Sequence, residues 1–398
     1  MKAIVLPKNV EFIIDRLNKH GYRADVVGGA IRDLYIGREA GDYDITTAAS
    51  PDKIKEIFSD VRTIDTGIKH GTVTIHLDGE NFEVTTYRRD GEYKDARHPE
   101  SVEFTSELSE DLSRRDFTVN AICYNPKDGF TDLFGGCDDV RARVIRAVGD
   151  AEVRFSEDAL RILRALRFAS VLDFSIEKDT ADAVHRTREL LRKVSRERIY
   201  TEWYKLVGGR GAYRVILENK DVISVFLPEL ADMTLPDESH FLSYDTDTRM
   251  ISLFVGLDNA PRAFDNAMRS LKTDNKIRLY GKGALELYSD FFPRCIEDVL
   301  LAFSKYGVDL TEGAVRLGCL TGRFSDFQME LLDRARESDI PYNLASLAIN
   351  GKDLIELGYK GEKIGGLLLE ALINVINGRV ENEREALLLW IKSAENQR

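Results

Sequence analysis

Apolar residues recur every three to four positions over Lys8–Lys19, Ala30–Ile36 and Pro51–Phe58. Between them lie short β-branched and apolar runs, Asp25–Gly28, Tyr43–Thr47, Thr72–Leu77 and Phe82–Tyr87, each bounded by Gly, Asp or Asn. The first pattern predicts helices and the second predicts strands. Pro51, directly after Ser50, suits a first helical turn. Gly67-Ile68-Lys69-His70-Gly71 reads as a hairpin turn. Together these elements predict a small head in which strands and helices interleave. After about Gly149 the strand pattern almost vanishes, and the spacing predicts consecutive helices at Glu157–Leu172, Thr180–Lys193 and Glu197–Val207. The remainder reads as helical to the end, with turn clusters near Pro236–Ser243 and Asn350–Lys352. One segment, Arg88–Ser106, fits neither period; a polar loop that long inside a compact domain is usually functional or disordered.

A chain of 398 residues is too long for one ordinary core, so two or more domains are expected. The net charge of −12 does not by itself suggest a nucleic-acid partner. Its distribution changes the picture. Arg141–Arg214 holds 17 Arg and Lys against 11 Asp and Glu, a net +6, which leaves −18 for the rest. A basic middle in an acidic chain is compatible with one RNA-facing surface, and equally with a solvated helical face. Cys123, Cys137, Cys295 and Cys319 are scattered, without the spacing of a zinc site or a disulfide framework. The apolar run Ala3–Leu6 is too short for a signal peptide, and no stretch approaches a membrane span. A cytoplasmic protein without a membrane partner is the expectation.

The chemistry concentrates in Gly28-Gly29-Ala30-Ile31-Arg32-Asp33, followed by Asp42-Tyr43-Asp44. Glycines at a helix start let backbone N–H groups approach phosphate oxygens. Asp42 and Asp44 alternate across Tyr43 and so share one side of the predicted strand. Two hard carboxylates at that spacing can share Mg ions with the phosphates of a nucleotide. Glu83 faces opposite to Phe82 and Val84; it is either a third acid that binds metal or takes a proton, or an exposed strand carboxylate. Arg114 and Arg115 offer planar, permanently charged forks to phosphate or RNA backbone, or are surface arginines before a helix starting at Asp116.

Asp158 and Arg161, three apart on a predicted helix, are either an intrahelical ion pair or a base-reading pair. Cytosine and adenine both present an exocyclic amine beside an unprotonated ring nitrogen. A carboxylate accepts from the amine while a guanidinium donates to the ring nitrogen; guanine and uracil put a carbonyl where the amine would be. Arg164 and Arg167 continue the row in steps of three, within reach of triphosphate or primer. Ser195-Arg196-Glu197-Arg198 reads as scaffold, with Ser195 as a helix cap.

In this order, Gly28-Gly29-x-x-Arg32-Asp33, Asp42-x-Asp44, Arg114-Arg115-Asp116, Glu157-Asp158-x-x-Arg161 and Ser195-x-Glu197-Arg198 resemble the bacterial and eukaryotic (class II) tRNA nucleotidyltransferases, the CCA-adding enzymes. The tail, with Asn350-Gly351-Lys352-Asp353, Asn377-Gly378 and Glu381-Asn382-Glu383, is similar to the shorter bacterial members. The resemblance implies an elongated, multidomain α+β protein: a nucleotidyltransferase head with a small mixed sheet over 1–149, then an all-α neck over 150–210, body over 211–344 and tail over 345–398. It implies Mg-dependent addition of C, C and A to tRNA lacking all or part of its 3′ CCA, from CTP and ATP. Asp42 and Asp44 would hold metal, with Glu83 a further catalytic acid. Gly28, Gly29, Arg32 and Arg115 would contact the nucleotide, Asp158 and Arg161 would read its base, and Arg164 and Arg167 would lie nearby. The full-length Arg88–Ser106 segment argues against a CC-only enzyme. An A-adding specialist or poly(A) polymerase stays open, as does, from another class, a catalytically silent RNA- or nucleotide-binding protein. The chain contains no adjacent His-Asp pair, so no phosphohydrolase module is expected.

Overall fold

The computed structural model describes residues 4–65, 67–90 and 102–395. Contacts divide the chain into two compact units, Met1–Ala231 and Asp232–Arg398.

The first unit is built on a mixed sheet. In chain order its strands are β1 (Ala24–Val27), β2 (Asp44–Thr47), β3 (Arg62–Ile64), β4 (Thr72–Leu77) and β5 (Glu80–Thr86). A separate ribbon of β6 (Arg88–Asp90) and β7 (Val102–Phe104) follows, and β8 (Ile122–Asn125) and β9 (Gly129–Asp132) complete the sheet. The seven strands lie in the order β3-β4-β5-β2-β1-β8-β9. β2 pairs antiparallel with β1 and parallel with β5, so it has a neighbour on each flank. The alternation of β5, with Phe82, Val84 and Thr86 buried and Glu83 exposed, is the pattern of a sheet with one wet face. The strands β8 and β9 were not anticipated from the sequence.

Helices α1 (Lys8–Lys19), α2 (Gly29–Tyr35), α3 (Pro51–Ile57), α4 (Leu108–Ser113) and α5 (Gly136–Ala142) accompany the sheet. α1 buries Val10, Ile13, Ile14 and Leu17, the stripe its periodicity predicts. Ser50 caps α3 by accepting from the Lys53 N–H, with Pro51 in the first turn. The Gly67–Gly71 turn is a short 3-10 segment joining the antiparallel pair β3 and β4, closed by Gly71 at φ 84°.

Beyond the sheet come α6 (Ala151–Glu157), α7 (Leu160–Leu172), α8 (Lys178–Thr187) and α9 (Arg196–Val207). The helix expected over Glu157–Leu172 is two helices, broken at Asp158, whose backbone is extended (φ −132°, ψ 103°). The helix expected over Thr180–Lys193 loosens to 3-10 from Arg188. Ser195 stands at the cap position of α9, but its side chain makes no capping bond.

The second unit is helical among the described residues, around a core that includes Leu300, Phe303, Val315, Leu332, Leu372 and Ile391. The turn expected over Pro236–Ser243 is instead a helix from Glu238 to Ser243, capped by Asp237. Asn350 is a turn residue that starts a helix: it forms a capping box with Asp353. The ends of Arg88–Ser106 form the β6–β7 ribbon, and its middle, 91–101, lies outside the described residues. No helix among the described residues is long and apolar enough to cross a membrane.

Candidate active site

The site grows from β2 and what flanks it. Asp44 is the first residue of β2; Asp42 precedes the strand rather than belonging to it, so their shared side is set by the incoming turn. Both are exposed. On one flank the parallel register Ile45–Val84 puts Glu83 of β5 beside Asp44. Burial pushes the Asp44 carboxyl above its usual range; Arg115 pulls it down, and Glu83 and Asp42 push it further up. Asp42, Asp44 and Glu83 share a cavity of about 770 Å³.

On the other flank, Val27 of β1 pairs with Asp44 and leads into Gly28. Gly28 has φ 84°, a conformation that favours glycine. A β-carbon there would also stand 3.6 Å from a terminal nitrogen of Arg115 and 4.0 Å from an oxygen of Asp44. Gly28, Asp44 and Arg115 therefore meet at one point. The Nε of Arg115 is buried without a hydrogen-bond partner among the described residues. Gly29 opens α2, and its absent side chain leaves the Arg32 guanidinium 3.5 Å from the β-carbon position.

Arg32 is buried and held by Asp33, at 3.0 and 3.1 Å, and by the Asn120 oxygen at 2.6 Å. Asp111, wholly buried, accepts from Arg114 (2.8 and 3.0 Å), Arg115 (3.3 Å) and the Thr46 hydroxyl (3.2 Å). Burial alone would raise its carboxyl; the two arginines hold it below its usual range. Asp116 does not start a helix. It accepts from Arg164 at 2.5 and 2.8 Å, from the Phe117 N–H and from Asn120. Burial would raise Asp116, but Arg164, with help from Asn120 and Arg161, holds it at about 2.

The expected Asp158–Arg161 pair is not formed on a helix surface, because the break removes Asp158 from the helix. One Asp158 oxygen accepts the Leu160 N–H at 3.1 Å and the other accepts from Arg198 at 3.0 Å. Arg198, read from sequence as scaffold, thus holds Asp158. Arg161 is buried and donates to Glu157 and to the Arg114 carbonyl, each at 2.8 Å. Arg164 and Arg161 dock on the segment 114–116 that carries Arg115 to Gly28, which joins the arginine row of α7 to the acidic pair. Arg167 donates to Glu202 of α9 at 2.8 Å. Phe168 lies beneath three guanidinium groups, with Arg32 at 5.4 Å, Arg164 at 5.2 Å and Arg167 at 3.6 Å from its ring centre.

Sequence reasoning missed Asp111, Asn120, Phe168 and Glu202. Asp111 had a local signal, lying three and four positions before Arg114 and Arg115. Glu202 had none, because its partner is 35 positions away.

Among the described residues no group of three or more His, Cys, Asp or Glu is placed to hold a metal ion alone. The donor set nonetheless suits Mg, which takes one or two carboxylates and completes its shell with water and substrate phosphates. Glu83 and Asp42 add negative charge beside Asp44 that a cation would relieve.

A flanked acidic pair on a mixed sheet, with arginines on one side, defines a nucleotidyltransferase head. The poly(A) polymerase head-domain family model matches residues 24–146. A model described as the probable RNA- and SrmB-binding site of polymerase A matches 173–234, and a tRNA nucleotidyltransferase domain 2 model matches 242–391. A CCA-adding enzyme from Lactobacillus delbrueckii subsp. bulgaricus is 39% identical over 94% of this chain and 95% of its own. One from Geobacillus stearothermophilus is 38% identical over 95% of both. The crystal structure of the Bacillus stearothermophilus CCA-adding enzyme in complex with CTP superimposes with a TM-score of 0.80 at 34% identity, covering 99% of each chain. A Thermotoga maritima CCA-adding enzyme complexed with tRNA shares the fold, with a TM-score of 0.70 at 22% identity. The chain belongs to the CCA-adding enzymes, the tRNA nucleotidyltransferases that these relatives represent.

Proposed function

We propose that this chain adds C, C and A to the 3′ end of tRNA from CTP and ATP, without a template. The observation that carries the reading is Asp42 and Asp44 beside Glu83 on one flank of β2, with Gly28 and Arg115 on the other. The 3′ oxygen of the tRNA bonds to the α-phosphorus as the bond to the bridging oxygen breaks, and pyrophosphate leaves.

Asp42 and Asp44 hold magnesium in this reading. Magnesium held there would supply neutralisation of phosphate charge and a lower pKa for the 3′ hydroxyl. Arg115, whose terminal nitrogen lies beside Gly28, would meet phosphate oxygens there, and Arg32, fixed by Asp33 and Asn120, supports the same side. Glu83, beside Asp44, is the candidate to receive the hydroxyl proton. Asp158, an acceptor, and Arg161, a donor, read the cytosine or adenine edge; Arg198 and Glu157 aim them. Arg164 and Arg167 serve as the charged floor of this part of the site. Residues 1–149 act as the head, 150–210 as the neck, 211–344 as the body and 345–398 as the tail.

The test is extension of three tRNA transcripts, ending before CCA, after C and after CC, with CTP, ATP or both. Stepwise growth to CCA and a stop is expected. A added only to the CC-ended transcript would identify an A-adding specialist, long A tails a poly(A) polymerase, and no extension would overturn the reading.

A further inference from the structure

The arginines Arg161, Arg164, Arg167 and Arg198 are each tied to a carboxylate. Others are not. At the far end of α7, about 18 Å along the helix axis from Leu160, Leu172, Asp173 and Phe174 line a cavity of about 230 Å³. Arg38, which follows α2, Arg143, which directly follows α5, and Arg210, between α9 and the helix Ala212–Glu218, line the same cavity. Among the described residues, none of these three guanidinium groups has a hydrogen-bond or ion-pair partner. The one carboxylate in the lining, Asp173, already lies 3.6 Å from Arg214.

Arginines near helix C-termini can serve only to offset the partial negative charge of the last carbonyls. Here those carbonyls are met by backbone instead. Ala169 and Ser170 of α7 accept from the Phe174 and Gly211 N–H groups at 3.0 and 2.9 Å, and Asp33 and Leu34 of α2 accept from Arg38 and Gly37 at 2.8 and 3.1 Å. The three side chains donate to none of them. Like charges gathered at one cavity repel unless an anion lies between them, and the chain, at −12, has no excess of positive charge to place idly. All three are arginine, whose planar fork meets two phosphate oxygens at once. The volume is below the range of about 300–1,000 Å³ usual for whole small molecules, which suits one phosphate group rather than a nucleotide. Arg143 and Arg210 are exposed and Arg38 is half-buried, so a group presented from outside can reach them.

We propose that Arg38, Arg143 and Arg210 form a phosphate-binding site separate from the nucleotidyl-transfer site. The three forks hold the phosphate oxygens, and Arg214 offsets Asp173, the one charge in the lining that would repel them. No bond is made or broken there. Two sources present such a group, the backbone of an RNA and free inorganic phosphate. Only the first rests on the function proposed above.

The test uses the full chain with Arg143→Gln, Arg210→Gln and the double variant. Inorganic phosphate is titrated by calorimetry without magnesium or nucleotide, and a tRNA transcript ending before CCA is titrated by filter binding from roughly 50 to 200 mM salt. If RNA supplies the phosphate, the double variant binds the transcript about tenfold or more weakly at low salt. The slope of log affinity on log salt then becomes shallower by about one per arginine removed. If free phosphate is the ligand, the transcript curve is unchanged and the double variant binds one fewer phosphate per chain than the parent. Either result supports the site, provided that the Kd of CTP stays within about twofold, as expected for substitutions far from the candidate active site. Unchanged binding of both phosphate and transcript would overturn the proposal, even with a lowered melting temperature, since the arginines would then only offset helix ends. Equal losses of CTP and transcript binding would also overturn it. If the double variant does not fold, the single variants decide. A parent protein that binds no transcript would overturn the function proposed above, and the phosphate titration would still decide the site.

Discussion

At the scale of single residues, the acids in this site sit in opposite electrostatic conditions. Asp44 has a carboxyl raised above its ordinary 3.8 by burial and by neighbouring acids. The folded state therefore holds its proton longer than the unfolded chain, and stability falls as pH rises through that interval. Asp44→Asn is expected to melt no lower than the parent at pH 7, with any advantage shrinking as pH falls toward 3.8, while nucleotide addition drops by about a thousandfold or more. Scanning calorimetry across pH, beside a gel extension assay, checks both halves. Asp116 is the reverse case. Held at about 2 against an unfolded value of 3.8, it contributes about 2 kcal/mol, present above pH 3.8 and lost as pH falls through 2. Asp116→Asn should lower the melting temperature at pH 7, because Arg164 then loses its close partner and keeps only Glu202 at 3.9 Å, and the difference from the parent should narrow below pH 3.8. An unchanged melting temperature at pH 7 would show that the pair is not formed.

At the scale of elements, two junctions set the site. The break between α6 and α7 turns Asp158 out of the helix, so that Arg198 of α9 holds it rather than Arg161. Arg198→Met should leave Asp158 misaimed; the expected signature is a fall of about tenfold in the preference for CTP over UTP, with little change in melting temperature, since Arg198 is only partly buried. Single-nucleotide incorporation with each triphosphate reads this out, and an unchanged preference would make Arg198 mere scaffold. The second junction is α5 against the segment 118–120. A β-carbon on Gly136 would stand 2.1 Å from the Thr118 carbonyl oxygen, which as backbone cannot yield cheaply. Gly136→Ala should cost about 1–3 kcal/mol or more in urea unfolding. It should also displace Asn120, the partner of Arg32.

At the scale of the whole molecule, a chain of net charge −12 binds a polyanion in this reading, so attraction must come from local clusters such as the +6 of Arg141–Arg214. Many of those arginines are already paired: Arg161 with Glu157, Arg164 with Asp116, Arg167 with Glu202 and Arg198 with Asp158. The basic count in the sequence therefore overstates the free positive charge. Binding of tRNA should still weaken by about tenfold or more between roughly 50 and 200 mM salt, through counterion release. Filter binding across that range checks it; a flat response would mean that phosphate contacts contribute little.

What the sequence determined by itself is what local spacing can carry. The alternation in β5, the stripe of α1, the Ser50–Pro51 start of α3 and the Gly28 turn all follow from periods and propensities acting within a few residues. The acidic pair and the order of motifs were legible for the same reason, and they led to the family that the comparisons show. Tertiary structure decided the partners. A spacing of three made Asp158 and Arg161 look paired, but the helix between them does not exist until Leu160, and Arg198 arrives from 40 positions away. Glu202, Asn120 and Phe168 joined the arginine row only because α7 packs on α9 and on the segment 114–120. The division of β2 into a cationic and an acidic flank is likewise a fact of strand order. No local pattern encodes which strands become neighbours, since burial and pairing across long separations settle that together.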